Sequence, residues 1–510
     1  MDIEKTTDTK QIKYGALLSY VNIFITAILG LILTPFIIRN LGDSEYGLYV
    51  LTGSFVSYLY LMDFGLNNTI IRYIAKYRST KEKDGESSFL ATIMTTYLII
   101  AIIVIFIGFL LYINIDGLFS KSLTPIELYK GKIMVALLIL NLAITIPGGS
   151  FIAICNGYER FVFTRTINIV KYLFRSTLVI CILLLGGDCI SLVVVDTIVN
   201  LLFIVITYIY TSKTIKIKFT LSKFDKTLLR EVLNYSFWIF IFAIIQQFQW
   251  QSGQIILGMN ANTIAVGVYG IGIMLGSYYG TFANAINGLL LPKATAMVTN
   301  KTNSDIFETM VQIAKINSYI LFFILSVFFL FGKEFITLWV GNTYHQAWII
   351  ALIFMIVNTI PLLQGFGNSV LEAKGKIKVK AIWALSTMGL AIICGYFLSL
   401  KYGIIGMTLC IALGLFINML FTNWYYSKIF SFSPLLFITR TLLKPVIYIS
   451  ILVLLTTLIN KTITIDLSWP VFFLKIILYF LSYSIIVYVF LMDSHQKIYL
   501  KKRQNEQHII

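Results

Sequence analysis

Charged residues are scarce in this sequence of 510 residues. Asp, Glu, Lys and Arg together make up only 12% of the chain, whereas a soluble globular domain contains about 25%. Hydrophobic residues make up 58%, and apolar runs of membrane-spanning length recur from one end of the chain to the other. No soluble domain fits between these runs, so the composition predicts an all-α membrane protein that crosses the bilayer many times.

Histidine and cysteine are also sparse, with three and five residues respectively. The histidines fall in predicted loops or in the C-terminal tail, and the cysteines lie in or beside apolar runs without metal-binding spacing. The predicted outer loops are too short to contain a catalytic domain. These observations disfavour an enzyme, and we predict neither a metal nor a cofactor. The composition leaves open a function as a channel or as a scaffold.

The apolar runs predict fourteen transmembrane helices, because about 20 apolar residues are needed to cross about 30 Å of hydrocarbon. Their approximate bounds are 15–39, 45–66, 88–113, 131–153, 161–185, 188–211, 234–258, 263–291, 313–332, 346–371, 378–400, 403–427, 440–460 and 468–492. The N-terminus is polar and charged, so we expect no removable signal peptide there.

Lysine and arginine are distributed unevenly between the two sides of these helices. The loops on one side contain most of them, whereas the other side holds only Lys121, Lys130, Lys333, Lys401 and Lys461. The positive-inside rule then places both termini in the cytoplasm. The net charge of +17 reflects this topology and attraction to anionic membrane lipids, and does not indicate a nucleic-acid partner.

An internal repeat divides the chain. Gly47-x-Tyr49 and Gly267-x-Tyr269 each open a span, and Pro147 and Pro361 each follow Thr-Ile. We therefore predict two pseudo-symmetric six-helix bundles around a central cavity, at 15–211 and 234–427. The remaining segments are a cytoplasmic N-terminus at 1–14, a linker at 212–233, two additional helices at 428–492 and a cytoplasmic tail at 493–510.

Three charged residues interrupt the fifth and sixth apolar runs. Lys171 and Arg175 are four residues apart, so they share one face of a helix, and Asp196 lies in the next run. Each charge would cost about 2.5–3.5 kcal/mol at the bilayer centre if it faced lipid. We therefore predict that they line a cationic internal cavity, in which Asp196 holds one of the cations until a ligand arrives.

A second polar group is predicted in span seven. Gln247, Trp250, Gln251 and Gln254 would place amides and an indole along a membrane helix, and Asn22 offers a weaker version of this lining in span one. Two interpretations stay open. Such side chains can form hydrogen bonds between helices, or they can line the central cavity and bind a sugar.

Three further residues are candidates for gating or coupling. Asp63 lies near the inner end of span two and Arg72 follows nine residues later, so the two either anchor the helix at the interface or form a pair that breaks during transport. Glu372 is a candidate, with Asp63 and Asp196, to carry a coupling proton. A coupling ion, H⁺ or Na⁺, is left open.

Several motifs together resemble a known family. They are Leu41-Gly-Asp-Ser-Glu-Tyr-Gly-Leu-Tyr49, Leu61-Met-Asp-Phe-Gly-Leu66, Ile255-Ile-Leu-Gly258, Gly267-Val-Tyr269 and Leu291-Pro292. In this combination the chain resembles the polysaccharide-repeat-unit flippases of the multidrug/oligosaccharidyl-lipid/polysaccharide exporter superfamily.

The resemblance implies movement of a lipid-linked oligosaccharide, carried on undecaprenyl pyrophosphate, from the inner to the outer leaflet of a bacterial plasma membrane. It also implies a positively charged lumen, which Lys171 and Arg175 would supply, and partners such as a polysaccharide polymerase and glycosyltransferases. A multidrug antiporter of the same fold is the main alternative. A membrane enzyme such as a polymerase or an acyltransferase is disfavoured.

Overall fold

The computed structural model describes residues 2–217, 225–287, 290–430, 432–462 and 466–492, and all regular structure in these residues is helical. The α-helices are α1 (Asp2–Leu41), α2 (Asp43–Leu59), α3 (Leu66–Thr80), α4 (Lys83–Phe119), α5 (Pro125–Gly157), α6 (Phe161–Leu184), α7 (Cys189–Tyr210), α8 (Lys226–Trp250), α9 (Ser252–Asn260), α10 (Thr263–Asn287), α11 (Leu291–Asn300), α12 (Asn303–Val340), α13 (Ala347–Leu363), α14 (Gly365–Ala373), α15 (Ile377–Phe430), α16 (Pro434–Ile438), α17 (Lys444–Thr462) and α18 (Trp469–Ile486). Short 3₁₀ segments lie at Tyr60–Asp63 and Asn342–Tyr344, and π-helical segments lie at Thr211–Ile215, Thr439–Leu443 and Val487–Leu491.

Several helices begin at side-chain caps in the polar connections. Thr124, Asp188 and Thr302 each form a capping box at the start of α5, α7 and α12. A capping box satisfies backbone N–H groups that have no partner inside the helix. The apolar run sets the extent of each helix, and the capping residue sets where it begins.

Eleven helices of the described residues are long and apolar enough to cross a membrane, which confirms the prediction of an all-α membrane protein. The count of fourteen stays a prediction. The structure differs from fourteen uninterrupted helices because α15 contains two of the predicted spans, which meet at the non-helical backbone of Gly403. In addition, α2 ends in a 3₁₀ turn and α8 is followed after one residue by the separate helix α9.

The chain divides into two compact units, Met1–Gly270 with Ile392–Met407, and Ile271–Ala391 with Thr408–Ile510. These units are defined by contacts between residues, and their limits differ from those of the internal repeat. The predicted bundles at 15–211 and 234–427 stay a prediction. Part of the predicted linker and the whole predicted tail at 493–510 lie outside the described residues.

Inside the first unit, the two Gly-x-Tyr motifs pack against each other. A Cβ atom on Gly47 of α2 would lie only 1.8 Å from the carbonyl oxygen of Thr263 at the start of α10. A Cβ atom on Gly267 would lie 3.5 Å from the Cα atom of Gly47. The motif glycines therefore allow α2 and α10 to approach with almost no space between their backbones.

The second unit has its own aromatic-rich core between α12, α17 and α18. Its buried members include Phe331, Ile449, Phe472, Tyr479 and Tyr483. The Tyr483 hydroxyl donates to the backbone carbonyl of Tyr319, at 2.7 Å. The two helices predicted to follow the second bundle thus pack on α12 through a continuous buried cluster.

Candidate functional site: a cationic cavity in the first unit

A polar cavity of about 540 Å³ lies inside the first unit, enclosed by side chains from α1, α2, α5, α6 and α7 and from the 3₁₀ turn after α2. Its polar lining consists mainly of Asn22, Tyr49, Asn141, Asn168, Lys171, Arg175, Asp196 and Asn200. The cavity therefore brings together four of the residues singled out in the sequence, Asn22, Lys171, Arg175 and Asp196.

Helix α6 supplies both cations of the cavity. Lys171 and Arg175 lie one turn apart on the same face, as expected for i and i+4 positions. The side chains of Val170, Leu173 and Phe174 are exposed on the other faces. An apolar face toward lipid and a cationic face toward the cavity explain how one transmembrane helix tolerates two positive charges.

Arg175 is held in place by two partners on neighbouring helices. Its Nε atom lies 2.5 Å from Asp196 Oδ1 and its Nη2 atom lies 3.0 Å from Asp196 Oδ2. The same Nη2 group donates to the Tyr49 hydroxyl at 2.8 Å, and that hydroxyl donates to Asp196 Oδ2 at 3.2 Å. The two bonds from guanidinium to carboxylate fix the orientation of Arg175 as well as neutralising it.

Lys171 is in a different position. Within the described part of the chain it forms no hydrogen bond and no ion pair, although its side chain is only partly exposed. Because Asp196 is occupied by Arg175, the lining carries two cations and one carboxylate. The cavity therefore keeps a net positive charge at Lys171, and an anion is the ligand that this charge favours.

A chain of amides extends the lining along α5 and α7. Asn200 Nδ2 donates to Asn141 Oδ1 at 3.1 Å, and Asn141 Nδ2 donates to Thr197 Oγ1 at 3.1 Å. The sequence predictions missed Asn141 and Asn200, and they missed Tyr49 as a cavity residue. Amides inside apolar runs were the available signal for the two asparagines, the same signal that singled out the glutamines of span seven.

The span-seven residues do not line this cavity. Helix α8 ends at Trp250 and α9 begins at Ser252, with Gln251 between them at φ −119°. The structure therefore differs from the expectation that these residues lie along one membrane helix, because the helix is interrupted at Gln251. Their contribution to sugar binding stays a prediction.

Three of these residues have different surroundings. The backbone carbonyl of Gln247 accepts a hydrogen bond from the Tyr58 hydroxyl at 3.3 Å. Trp250 Nε1 donates to the side chain of Gln246 at 2.9 Å. Gln254 is buried on α9, and its side-chain oxygen has no hydrogen-bond partner among the described residues.

The gating candidates lie elsewhere. Asp63 is buried in the 3₁₀ turn after α2 and accepts hydrogen bonds from Asn67 Nδ2 and from the Tyr97 hydroxyl, both at 3.0 Å. Arg72 on α3 and Glu372 on α14 are exposed. The buried Tyr97 on α4 was not found from the sequence. The proposed roles of Asp63, Arg72 and Glu372 in gating or coupling stay predictions.

An ionic cluster lies at the predicted outer ends of α2, α5 and α7. Lys130 bridges Glu45 and Asp188, with Nζ 3.1 Å from Asp188 Oδ2. Burial acts to raise the pKa of Asp188, but hydrogen bonds from Ser191 and Lys130 outweigh it, so the pKa lies below its usual value. This cluster joins three of the helices that enclose the cavity.

Two comparisons of the sequence identify similar proteins. Residues 12–298 match the model of a family described as "Polysaccharide biosynthesis protein". A relative from Shigella flexneri described as "Putative O-antigen transporter" is 22% identical over 425 residues, which cover 80% of this chain and 97% of the relative.

The fold is similar to those of solved membrane transporters. The lipid II flippase MurJ in its inward closed conformation has a TM-score of 0.67 at 15% sequence identity, and the match covers 95% of this chain and 99% of that one. An inward-facing multidrug resistance MATE family transporter of the MOP superfamily has a TM-score of 0.66 at 11% identity, over 80% and 94% of the two chains. At these identities the likeness shows the fold.

Proposed function

We propose that this chain, which belongs to the family described as "Polysaccharide biosynthesis protein", is a flippase for a polyprenyl-pyrophosphate-linked oligosaccharide. In this proposal the repeat unit moves from the inner to the outer leaflet of a bacterial plasma membrane. The relative from Shigella flexneri, described as "Putative O-antigen transporter", supports a cargo of this class. A polysaccharide polymerase and glycosyltransferases would act after and before this step.

The observation that carries the proposal is the positive charge of the cavity. A pyrophosphate cannot enter hydrocarbon without a counter-charge, because an ion that leaves water without a partner pays a large desolvation penalty. Lys171 supplies that charge, since it forms no ion pair within the described residues. Arg175 supplies a second charge once it is released from Asp196.

The geometry supports a sequence of contacts for the cargo. Asp196 and Tyr49 hold Arg175. An arriving anionic headgroup competes with Asp196 for the guanidinium and binds Lys171 directly. Asn141 and Asn200 offer amide donors and acceptors to sugar hydroxyls. The polyprenyl chain stays in lipid, and rocking of the helices opens the cavity to one side and then to the other.

The test reverses the charge of the cavity. The double substitution Lys171→Glu with Arg175→Glu should abolish export of the lipid-linked oligosaccharide while protein stays in the membrane, because the headgroup would then meet two carboxylates. Export is measured as the rescue of surface polysaccharide in a strain that lacks its own flippase.

A matched control changes the net charge by the same amount elsewhere. Lys401→Glu with Lys461→Glu alters two exposed lysines outside the cavity and should leave export unchanged. Unchanged export in the cavity double variant would show that Lys171 and Arg175 are not the counter-charge for the cargo.

A multidrug antiporter is the second candidate, and the similarity to a MATE family transporter favours it. The cation-rich lining argues against cationic drugs, since like charges repel. Purified protein in vesicles separates the two candidates: efflux of a cationic dye without transport of oligosaccharide-lipid would favour the antiporter. Imposing a proton or a sodium gradient in the same vesicles tests whether H⁺ or Na⁺ is the coupling ion.

A further inference from the structure

The second unit contains a basic pocket that the proposed transport function does not use. This pocket, of about 510 Å³, lies between the first turns of α12, the π-helical segment Thr439–Leu443 and the start of α17. Three cations, Lys315, Arg440 and Lys444, line it together with one carboxylate, Glu308. These are the helix ends that the positive-inside rule assigns to the cytoplasmic side.

The pocket keeps a positive charge after its internal pairing. Arg440 forms an ion pair with Glu308, which is the one carboxylate in the lining. Lys444 is exposed and has no hydrogen-bond or ion-pair partner among the described residues. A basic pocket between membrane helices at this level favours an anionic lipid headgroup, because the inner leaflet carries the anionic lipids.

Two π-helical turns adjoin the pocket, and such turns are frequent at functional sites. Thr439, Arg440 and Thr441 of the first turn line it, as does Leu491 of the turn Val487–Leu491. The Tyr319 hydroxyl donates to the Leu491 carbonyl at 2.9 Å. This hydrogen bond connects the second turn to α12.

An apolar groove of about 520 Å³ is lined by residues that follow those of the pocket along α12 and α17, and also by Leu352 and Ile356 of α13. On α12 it is lined by Phe322, Leu325 and Phe329, and on α17 by Val446, Val453 and Leu454, among others. From Lys315 to Phe329 the axis of α12 rises about 21 Å. One leaflet is about 20–22 Å thick when its headgroup region is included, so the pocket and the groove together match the depth of one leaflet.

We propose that the pocket binds the phosphate headgroup of an anionic glycerophospholipid of the inner leaflet, whose acyl chains lie in the groove between α12 and α17. Lys444 and Lys315 contact the phosphate, and Arg440 exchanges part of its contact with Glu308 for the headgroup. The charge of the pocket selects an anionic headgroup over a zwitterionic one. The apolar groove selects a lipid over a free phosphate ion.

Native mass spectrometry of the full-length protein in detergent tests this proposal. The probes are palmitoyl-oleoyl phosphatidylglycerol and palmitoyl-oleoyl phosphatidylcholine, each titrated alone, and inorganic phosphate as a competitor. We expect phosphatidylglycerol to bind more tightly than phosphatidylcholine. Lys444→Gln should weaken phosphatidylglycerol roughly fivefold, and Lys315→Gln with Lys444→Gln roughly 25-fold, in line with the contribution of a basic residue near an anionic lipid.

Lys301→Gln is the matched control, because Lys301 is exposed on the same predicted side but lies outside the pocket. It should bind phosphatidylglycerol as the unsubstituted protein does. Equal binding of the two lipids, an unchanged affinity in Lys444→Gln, or full displacement of phosphatidylglycerol by millimolar phosphate would each overturn the proposal. Since Lys444 is exposed, its single substitution keeps the test valid if the double variant fails to fold. The assay reads lipid binding and not export, so its failure leaves the proposed function untouched.

Discussion

The two cations of the cavity have different roles at the scale of single residues. Arg175 contacts Asp196 and Tyr49, whereas Lys171 has no such partner among the described residues. Truncating one member of a partly buried pair leaves the other charge uncompensated, which costs more than the pair itself contributes. Substitution of the two cations should therefore affect stability to different extents.

Lys171→Gln and Arg175→Gln form a matched pair for this prediction. Both should lower export, because each removes a counter-charge for the headgroup. Only Arg175→Gln should also destabilise the protein, by roughly 2 kcal/mol, since it strands the Asp196 carboxylate. Thermal unfolding of the purified proteins checks the difference, and an equal fall in Tm for both variants would contradict it.

Asp196→Asn tests the holding role of the carboxylate. Asparagine keeps a side chain of similar shape but removes the negative charge, so Arg175 would stay available to the headgroup at all times. We expect slower release of the cargo and a lower export rate. The measurement is export in the same rescue assay, and a rate equal to that of the unsubstituted protein would remove Asp196 from the mechanism.

At the scale of helices, α2 and α10 approach each other more closely than any other contact of a described glycine allows. A methyl group at Gly47 would meet the backbone of Thr263 at 1.8 Å, and backbone cannot rotate away as a side chain can. Gly47→Ala should therefore destabilise the protein by about 1–3 kcal/mol through overpacking. Thermal unfolding of the purified protein is the measurement.

Gly53→Ala is the control for that prediction, because it lies on the same helix and a Cβ atom there would have nothing within 4 Å. Alanine is the better helix former by about 1 kcal/mol, so the stability of Gly53→Ala should be unchanged or slightly higher. A loss of stability at Gly53 similar to that at Gly47 would mean that the close α2–α10 contact is not the cause.

At the scale of the whole molecule, the distribution of lysine and arginine predicts the orientation in the membrane. Single cysteines at Lys121 and Lys374, introduced in a background without the five native cysteines, place a thiol in loops predicted to face opposite sides. A membrane-impermeant maleimide should label Lys121→Cys in intact cells and Lys374→Cys only after permeabilisation. Labelling in the reverse order would show that the topology is opposite to the predicted one, and the predicted direction of transport would then be reversed.

The sequence predicted the candidate site in part. It singled out Lys171, Arg175 and Asp196, because charges in an apolar run require an internal partner or water. It placed Gln247 and Gln254 on one helix, whereas the structure interrupts that helix at Gln251. The local signal for the break is Ser252-Gly253, which directly follows Gln251. The sequence predictions missed Tyr49, which lies 126 residues from Arg175 along the chain.

The sequence by itself determined that this is a helical membrane protein, since transfer of each apolar segment into hydrocarbon depends mainly on the composition of that segment. It also determined which helix carries the cations. Only the tertiary structure decided that Asp196 and Tyr49 hold Arg175 while Lys171 forms no ion pair among the described residues. Those partnerships depend on which faces of α2, α6 and α7 meet, and the packing of the whole unit sets those faces.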